Sequence, residues 1–483
     1  MFLAWIACRP PDPVPPGVEP PTGPVDIAAE GFFRGDLHFH TNYSDDALEQ
    51  GGDWMRGALD IAAAWADPAW VEAFPELAPT DHLQFVAVTD HRTTAGWDDP
   101  EFRSDTLAVL GGEEFGSDGH AGIWGHDAHV PHEPQHGETP TERIRDAIDE
   151  AHAQGGLFSV NHPLYSGDLW TWDATGFDGV EVWNAAWSAM GAPSTEVDLD
   201  QWLVDHGGAE NPWIRPAVRA EGVPQNGQAL RFWYSVLSSG NHVPPVGGGD
   251  RHMIFPAGLP TTYVAASERT PEAILAGLAA GATFVSRSPQ GPQVVLEAEV
   301  DGQTYPLGSA LPGGPATIRW RVGRAAGGEL RLIQGRLGTD GEPERIATVP
   351  LTSADATGVF EWTPPTEGGW VHAVVVDPLP TDVPDEMLPA VEALTTFPAD
   401  GGLTAVLSAL GPLVDLAVLG DPAQCRLETW TEWSGDCMPV DTEPFATFYV
   451  PPNLQALLAT DFEGGQATGY AMGAISAAFF VGG

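Results

Sequence analysis

Residues 35–41 read Gly-Asp-Leu-His-Phe-His-Thr, with apolar Leu37 and Phe39 alternating with Asp36, His38 and His40. On an extended strand side chains two apart face the same way, so both imidazoles would point to one side. That presents two metal ligands together. Taken alone the pair need bind nothing. Five further segments, however, carry His, Asp or Glu at or just beyond the end of an apolar run: Thr89-Asp90-His91, Gly111-Gly112-Glu113-Glu114, Gly119-His120, Asn161-His162-Pro163 and Gly249-Asp250-Arg251-His252. Imidazole and carboxylate together suit Zn, Mn or Fe, and the absence of nearby cysteine argues against a thiolate site.

Other residues of the same types have plainer readings. Asp90 is placed either to orient a ligand imidazole or to cap a turn. His126, His129, His132 and His136 share a polar loop with Asp127, Glu133 and Glu138, and a solvated loop is preferred there to a second metal site. His82, His152, His206, His242 and His372 read as ordinary surface or core residues. Arg92 and Arg287 read as surface partners of the many acids.

The elements that must position the ligands alternate in type. Phe85-Val86-Ala87-Val88 shows no polar alternation, as expected of a parallel strand covered on both faces. Leu107-Ala108-Val109-Leu110 and Leu157-Phe158-Ser159-Val160 are similar. Asp53 can cap a helix from Trp54 to Ala66, and Thr139-Pro140-Thr141-Glu142 has the form of a capping box opening another. A third helix, residues 271–280, starts after Thr270. Residues 185–243 lose this pattern and read as an insertion or long loop. Strand and helix thus alternate from about Phe33 to Ala280, which predicts a parallel α/β architecture with the candidate ligands at the carboxyl ends of strands.

Past Gly291 the runs shorten and alternate, as in Thr317-Ile318-Arg319-Trp320-Arg321-Val322 and Trp370-Val371-His372-Ala373-Val374. They predict an antiparallel β-sandwich-like domain reaching at least Pro378. Residues 390–483 either complete it or form an appended segment.

The chain has 483 residues, with 20 basic residues, all Arg, against 67 acidic ones and a net charge of −47. Such a field repels polyanions, so nucleic acid is excluded as an expected partner. Residues 1–8 are largely apolar and end in Ala7-Cys8, and residues 9–30 are Pro-rich. This start is signal-like and lipobox-like, with Cys8 the candidate lipid anchor, although it lacks a positive leader and carries Trp5. Export is expected, with a cytoplasmic location the alternative. Cys425 and Cys437 could be joined in an exported protein or stay free thiols. No run of 18 apolar residues appears; residues 403–419 come closest but contain Pro412 and Asp415.

In that order, Asp36-Leu37-His38-Phe39-His40-Thr41 with Ser44-Asp45, Thr89-Asp90-His91, Gly112-Glu113-Glu114, Gly119-His120, Asn161-His162-Pro163 and Gly249-Asp250-Arg251-His252 resemble the PHP (polymerase and histidinol phosphatase) metallohydrolases. Residues 119–125, Val180-Glu181-Val182-Trp183-Asn184 and Pro260-Thr261-Thr262-Tyr263 look like the carbaryl-hydrolase-like CehA/McbA branch. The resemblance spans residues 31–290, leaving 291–483 as a β-rich C-terminal domain.

It implies an α/β fold, a distorted (β/α)7 barrel, with two or three divalent metal ions (Zn, Mn or Fe) at its mouth. By resemblance His38, His40 and Asp250 would hold one ion, bridged by Glu114 to a second held by His120 and His162. His91 and His252, with Asp45, would hold a third. Glu114 is preferred to Glu113 because the family pattern is Gly, any residue, Glu. The nucleophile would be a metal-bound hydroxide held by Glu114, Asp250, His38 and Asp45. Two departures stand out. Asp46 occupies the usual Gly position after Ser-Asp, and Arg251 replaces a small residue; on an extended segment Arg251 would point away from both ligands into a structural ion pair.

The implied activity is metal-dependent hydrolysis of a small molecule, with a phosphoester first and a neutral carbamate, ester or lactone second. A non-catalytic exported metal-binding or surface module is the alternative of another class.

Overall fold

The computed structural model describes residues 31–44, 54–64, 82–116, 119–134, 137–165, 169–184, 196–206, 211–218, 225–251, 257–338, 343–378, 426–427, 433–434 and 470–482. The expectations for Cys8, Asp45, Asp46, His136, His252, Cys425, Cys437 and residues 403–419 lie outside these.

The first half contains β1 (Phe32–Phe39), α1 (Trp54–Ala64), β2 (Phe85–Val88), β3 (Ala108–Phe115), β4 (Ala121–Trp124), α2 (Pro140–Ala153), β5 (Leu157–Val160), β6 (Gly179–Asn184), α3 (Glu196–His206), α4 (Ile214–Val218), α5 (Gln225–Ser238), β7 (Pro245–Gly248), β8 (Thr261–Ala265), α6 (Pro271–Ala279) and β9 (Thr283–Ser286). Strands β1, β2 and β3 pair in parallel, as do β5, β6 and β7. Between these trios β4 runs antiparallel to both β3 and β5. Just beyond β7, Asp250 N donates to His38 O at 2.9 Å and His40 N to Arg251 O at 3.2 Å. The chain after β7 therefore returns to the end of β1.

This is a mixed α/β architecture, and seven successive βα units are not what the described residues show. Parallel neighbours need a crossover of about a dozen residues or more. Residues 116–120 are too few for that, and Gly116 (φ 107°) and Gly119 (φ 88°) turn the chain straight back into β4. The stretch expected as a long loop, 185–243, contributes three helices. Helix α5 escapes a periodicity reading because it is buried almost all round, Trp233, Tyr234, Val236 and Leu237 included.

The expected capping box is present: Thr139 Oγ1 accepts from Glu142 N, and the Glu142 carboxylate accepts from Thr139 N at 2.8 Å. Thr270 caps α6 by accepting from Ala273 N.

The second half holds β10 (Gln293–Val300), β11 (Gln303–Pro306), β12 (Ala316–Gly323), β13 (Glu329–Arg336), β14 (Glu344–Pro350), β15 (Ala356–Trp362), β16 (Gly369–Pro378), β17 (Arg426–Leu427), β18 (Trp433–Ser434), β19 (Tyr470–Ser476) and β20 (Phe479–Val481). One antiparallel sheet has the order β11-β10-β12-β15, and β14-β13-β16-β19 joins the first half through β19 and β9. Leu296, Ile318 and Trp320 of one sheet share a core with Leu332, Ala373 and Phe479 of the other. Phe32, Tyr263 and Phe284 belong to the same core, so the apolar interior runs across residue 291. No helix among the described residues is long and apolar enough to cross a membrane.

Candidate metal centre

Six segments meet at one edge of the sheet. His38 is the second-to-last residue of β1 and His40 follows that strand; His91 follows β2, Glu114 is near the end of β3, His162 follows β5 and Asp250 follows β7. His120 precedes β4. Because β4 runs against its neighbours, its beginning lies at the edge where the others end.

Two glycines make the convergence possible. A Cβ at Gly248 would overlap His38, and one at Gly119 would overlap the Trp172 ring. Asp250 (φ 48°) and His162 (φ 21°) adopt left-handed backbone conformations that are uncommon for such residues. They are held there by Asp250 N donating to His38 O and by His162 N donating to Glu181 Oε2 at 2.8 Å.

Glu114 is the hub. Its Oε1 lies 3.1 Å from His38 Nε2, 3.2 Å from His162 Nε2 and 3.3 Å from His120 Nδ1. Its Oε2 lies 3.3 Å from His40 Nε2 and 3.2 Å from His91 Nδ1. Asp250 Oδ1 is 3.3 Å from both His38 Nε2 and His40 Nε2. All these residues are buried except His120, which is partly so.

The surroundings fix which ring nitrogens face the hub. The Glu181 carboxylate can only accept, so neutral His38 carries its proton on Nδ1, 3.0 Å from Glu181 Oε1, and turns the Nε2 lone pair inward. Ser44 Oγ donates to Asp90 Oδ1 at 3.1 Å, so it accepts from His40 Nδ1 at 2.8 Å and from His91 N at 2.9 Å. Neutral His40 thereby also faces inward through the Nε2 lone pair. Asp90 orients an imidazole through an intervening hydroxyl, rather than directly, and accepts from Thr41 N and Oγ1 as well.

Lone pairs aimed at two carboxylates need positive charge between them. Among the described residues, buried His38 Nε2, His120 Nδ1 and Glu114 Oε2 make no hydrogen bond, although the two ring nitrogens lie 3.1 and 3.3 Å from Glu114 Oε1. Burial works against charge at His38, but Glu114, Asp250 and Glu181 outweigh it and hold this imidazole well above the usual histidine range. Burial likewise opposes ionisation of Glu114, yet His38, His120 and His91 keep its carboxyl well below the usual range. The field that draws protons here is one a divalent cation can satisfy instead. The donor set fits such an ion: His38, His40, Glu114 and Asp250 form one group able to hold it, and His91, Glu114 and His120 a second.

A third such group contains His38, His162 and Glu181. Glu181, absent from the expected ligands, accepts from His38 Nδ1, His162 N and Asn184 Nδ2, an arrangement that orients a ligand imidazole. Asn161 Nδ2 donates to Glu114 Oε1 at 2.9 Å. The available signal was a lone polar residue inside, or just after, an otherwise apolar strand.

Glu113 faces elsewhere, towards His126 and His129. The loop expected to be solvated therefore buries His126. Arg251 is buried, its guanidinium 5.3 Å from the Phe39 ring centre and drawn towards the charge of Asp36. Burial lowers it to about 10, and burial raises Asp36 to about 6 against donation from Gly258, Gly249 and His38 N–H groups. Arg287 pairs with Asp377 at 2.9 Å, whereas Arg92 Nη1 donates to Gly116 O at 3.2 Å.

Neither the family models nor the curated proteins contain a match to this chain. Three solved structures are distantly similar. A Bacteroides vulgatus two-domain protein containing a predicted PHP-like metal-dependent phosphoesterase is 16% identical, with 71% of this chain and 91% of that one covered at a TM-score of 0.30. PsfC from Pseudomonas syringae is 12% identical over 50% and 84% of the two chains, TM-score 0.28. The lesion-specific endonuclease PfuEndoQ from Pyrococcus furiosus is 10% identical over 51% and 56%, TM-score 0.27. Likenesses this slight define neither a family nor an activity for this chain. What its own residues define is a buried His/Glu/Asp centre suited to divalent cations, set at one edge of a mixed α/β sheet.

Proposed function

We propose that the protein is a metal-dependent hydrolase of the PHP type, related to the CehA/McbA branch, acting on a phosphoester. The observation that carries this reading is the convergence of five imidazoles on Glu114, with Asp250 opposite, in a buried edge of the sheet. His38, His40, Glu114 and Asp250 would hold one divalent ion, and His120 and His162, sharing Glu114, a second. When bound, such ions supply Lewis acidity that acidifies water and stabilises oxyanions.

The chain's own residues do the rest. Glu181 and the Ser44–Asp90 pair hold Nδ1 of His38 and of His40 and so keep Nε2 of each turned inward. Asn161 holds Glu114 Oε1 in place. The burial of Glu114 and Asp250 keeps bulk water from competing for them. A third ion held by His91 with His252 and Asp45, a lipid anchor at Cys8 and export remain parts of the proposal that rest on the sequence motifs alone.

The net charge of −47 favours a second reading, hydrolysis of a neutral carbamate, ester or lactone, because a phosphate must approach against that field. Assay of metal-loaded protein on aryl phosphates and aryl carbamates separates the two. Turnover of aryl phosphate, lost in a His38→Ala, His40→Ala double variant that still folds, is the expected result. Turnover of carbamate alone selects the second reading, and no turnover of either with metal bound overturns both.

A further inference from the structure

Helix α5 touches the centre at one end and the β-rich half at the other. At its first turn Asn226 grips Asn184 at two points: Asn226 Nδ2 donates to Asn184 O at 2.8 Å, and Asn184 N donates to Asn226 Oδ1 at 3.1 Å. Both residues are buried. Asn184, last residue of β6, sends its own Nδ2 to Asp250 Oδ2 and to Glu181 Oε2, each at 3.2 Å. Asp250 therefore offers Oδ1 to His38 and His40 while Oδ2 is held from behind. Glu181, held by the same amide, is the acceptor of His38 Nδ1.

The far end of α5 cannot drift. Trp233 Nε1 donates to Val243 O at 2.9 Å, Trp370 Nε1 to Ser238 Oγ at 3.1 Å and Gly338 N to Ser238 O at 2.8 Å. Tyr234 OH lies 3.0 Å from His372 Nε2 on β16.

We propose that Asn226 is a positioning residue for the metal centre, acting through Asn184 to set the oxygens of Asp250 and Glu181. Both of these Asn226 bonds go to the backbone of Asn184, which is not assigned as a ligand. The Asn226 amide is matched to a backbone N–H and a backbone C=O at once, which a carboxylate cannot be, having no donor. This inference rests on the reading that the site holds divalent cations.

The test uses the full chain and Co²⁺ as the probe, read by stoichiometry, affinity and visible ligand-field spectrum, beside the melting temperature of the metal-free protein. Asn226→Asp is expected to weaken Co²⁺ binding about 10- to 100-fold, the usual effect of losing an outer partner, and to shift the spectrum. Asn226→Ala, which adds no charge, should do the same to a lesser degree. Ser235→Ala on the same helix should leave both readouts at the wild-type value. Wild-type affinity and spectrum in both Asn226 variants would overturn the inference while leaving the proposed function standing. Failure of both variants to fold would make Asn226 structural and overturn it too. If the wild-type protein takes up no Co²⁺, the proposed function fails first and this inference with it.

Discussion

Glu113 and Glu114 are neighbours on β3, both buried and both faced by imidazoles, but they point to opposite sides and are answered differently. Around Glu113 each contact closes: His126 Nε2 at 3.0 Å, His129 Nδ1 at 2.6 Å and Val130 N at 2.7 Å all come from one short stretch of chain. Burial would raise its carboxyl, yet those donors outweigh it and hold it below the usual range. Around Glu114 five imidazoles arrive from four segments of the chain, and inward atoms of His38, His120 and Glu114 itself are left without hydrogen bonds. A second carboxylate, Asp250, shares the space. The difference separates a carboxylate that fastens a loop from one whose surroundings are complete only with added positive charge.

The sharpest way to break this comparison is Glu114→Gln against Glu113→Gln. Glu114→Gln should reduce cation uptake by more than about 100-fold, beyond what an outer partner usually contributes, as measured by metal content after dialysis. Equal uptake in the two variants would erase the distinction. Glu113→Gln should leave uptake near wild type and instead destabilise the protein by about 2 kcal/mol, the scale of buried hydrogen bonds to a charged group, in denaturant titrations. Its effect should also shrink in acid. A carboxyl held low in the folded state contributes stability above its usual value, and that stability is lost as pH falls through the lowered one.

His372 sharpens the comparison from the histidine side. It is as buried as His38, but burial here pushes it down, to about 3, whereas at His38 the carboxylates of Glu114, Asp250 and Glu181 outweigh burial. The folded state keeps it neutral while the unfolded chain takes a proton near 6.5. Stability should therefore fall as pH drops from about 6.5 towards about 3, by about 1 kcal/mol at pH 5.5. Metal-free His372→Leu should lack that component of the acid slope in melts across this range; an unchanged slope would show that His372 does not carry it.

Much of the frame was written in local pattern. The two-residue spacing of His38 and His40 announces a shared face, and the capping box before α2 announces a helix start, because both depend only on nearby residues. Spacing alone did not choose between Glu113 and Glu114, which differ in partners tens of residues away. Glu181, Asn161, Asn184 and Asn226 were missed as members of the site for the same reason: a single polar residue in a buried element does not reveal what it meets. β4 was hidden because its four residues look like loop, and α5 because a helix covered on every side loses its polar stripe.

The return of the chain after β7 onto the end of β1 has a consequence for how this protein is born. His38 emerges from the ribosome early, whereas Asp250 and its backbone bond to His38 O arrive only after everything between them has been made. A nascent chain thus exposes isolated imidazoles with weak hold on any ion, and the full grip appears in one late step of assembly. Uptake of metal should accordingly follow synthesis rather than accompany it.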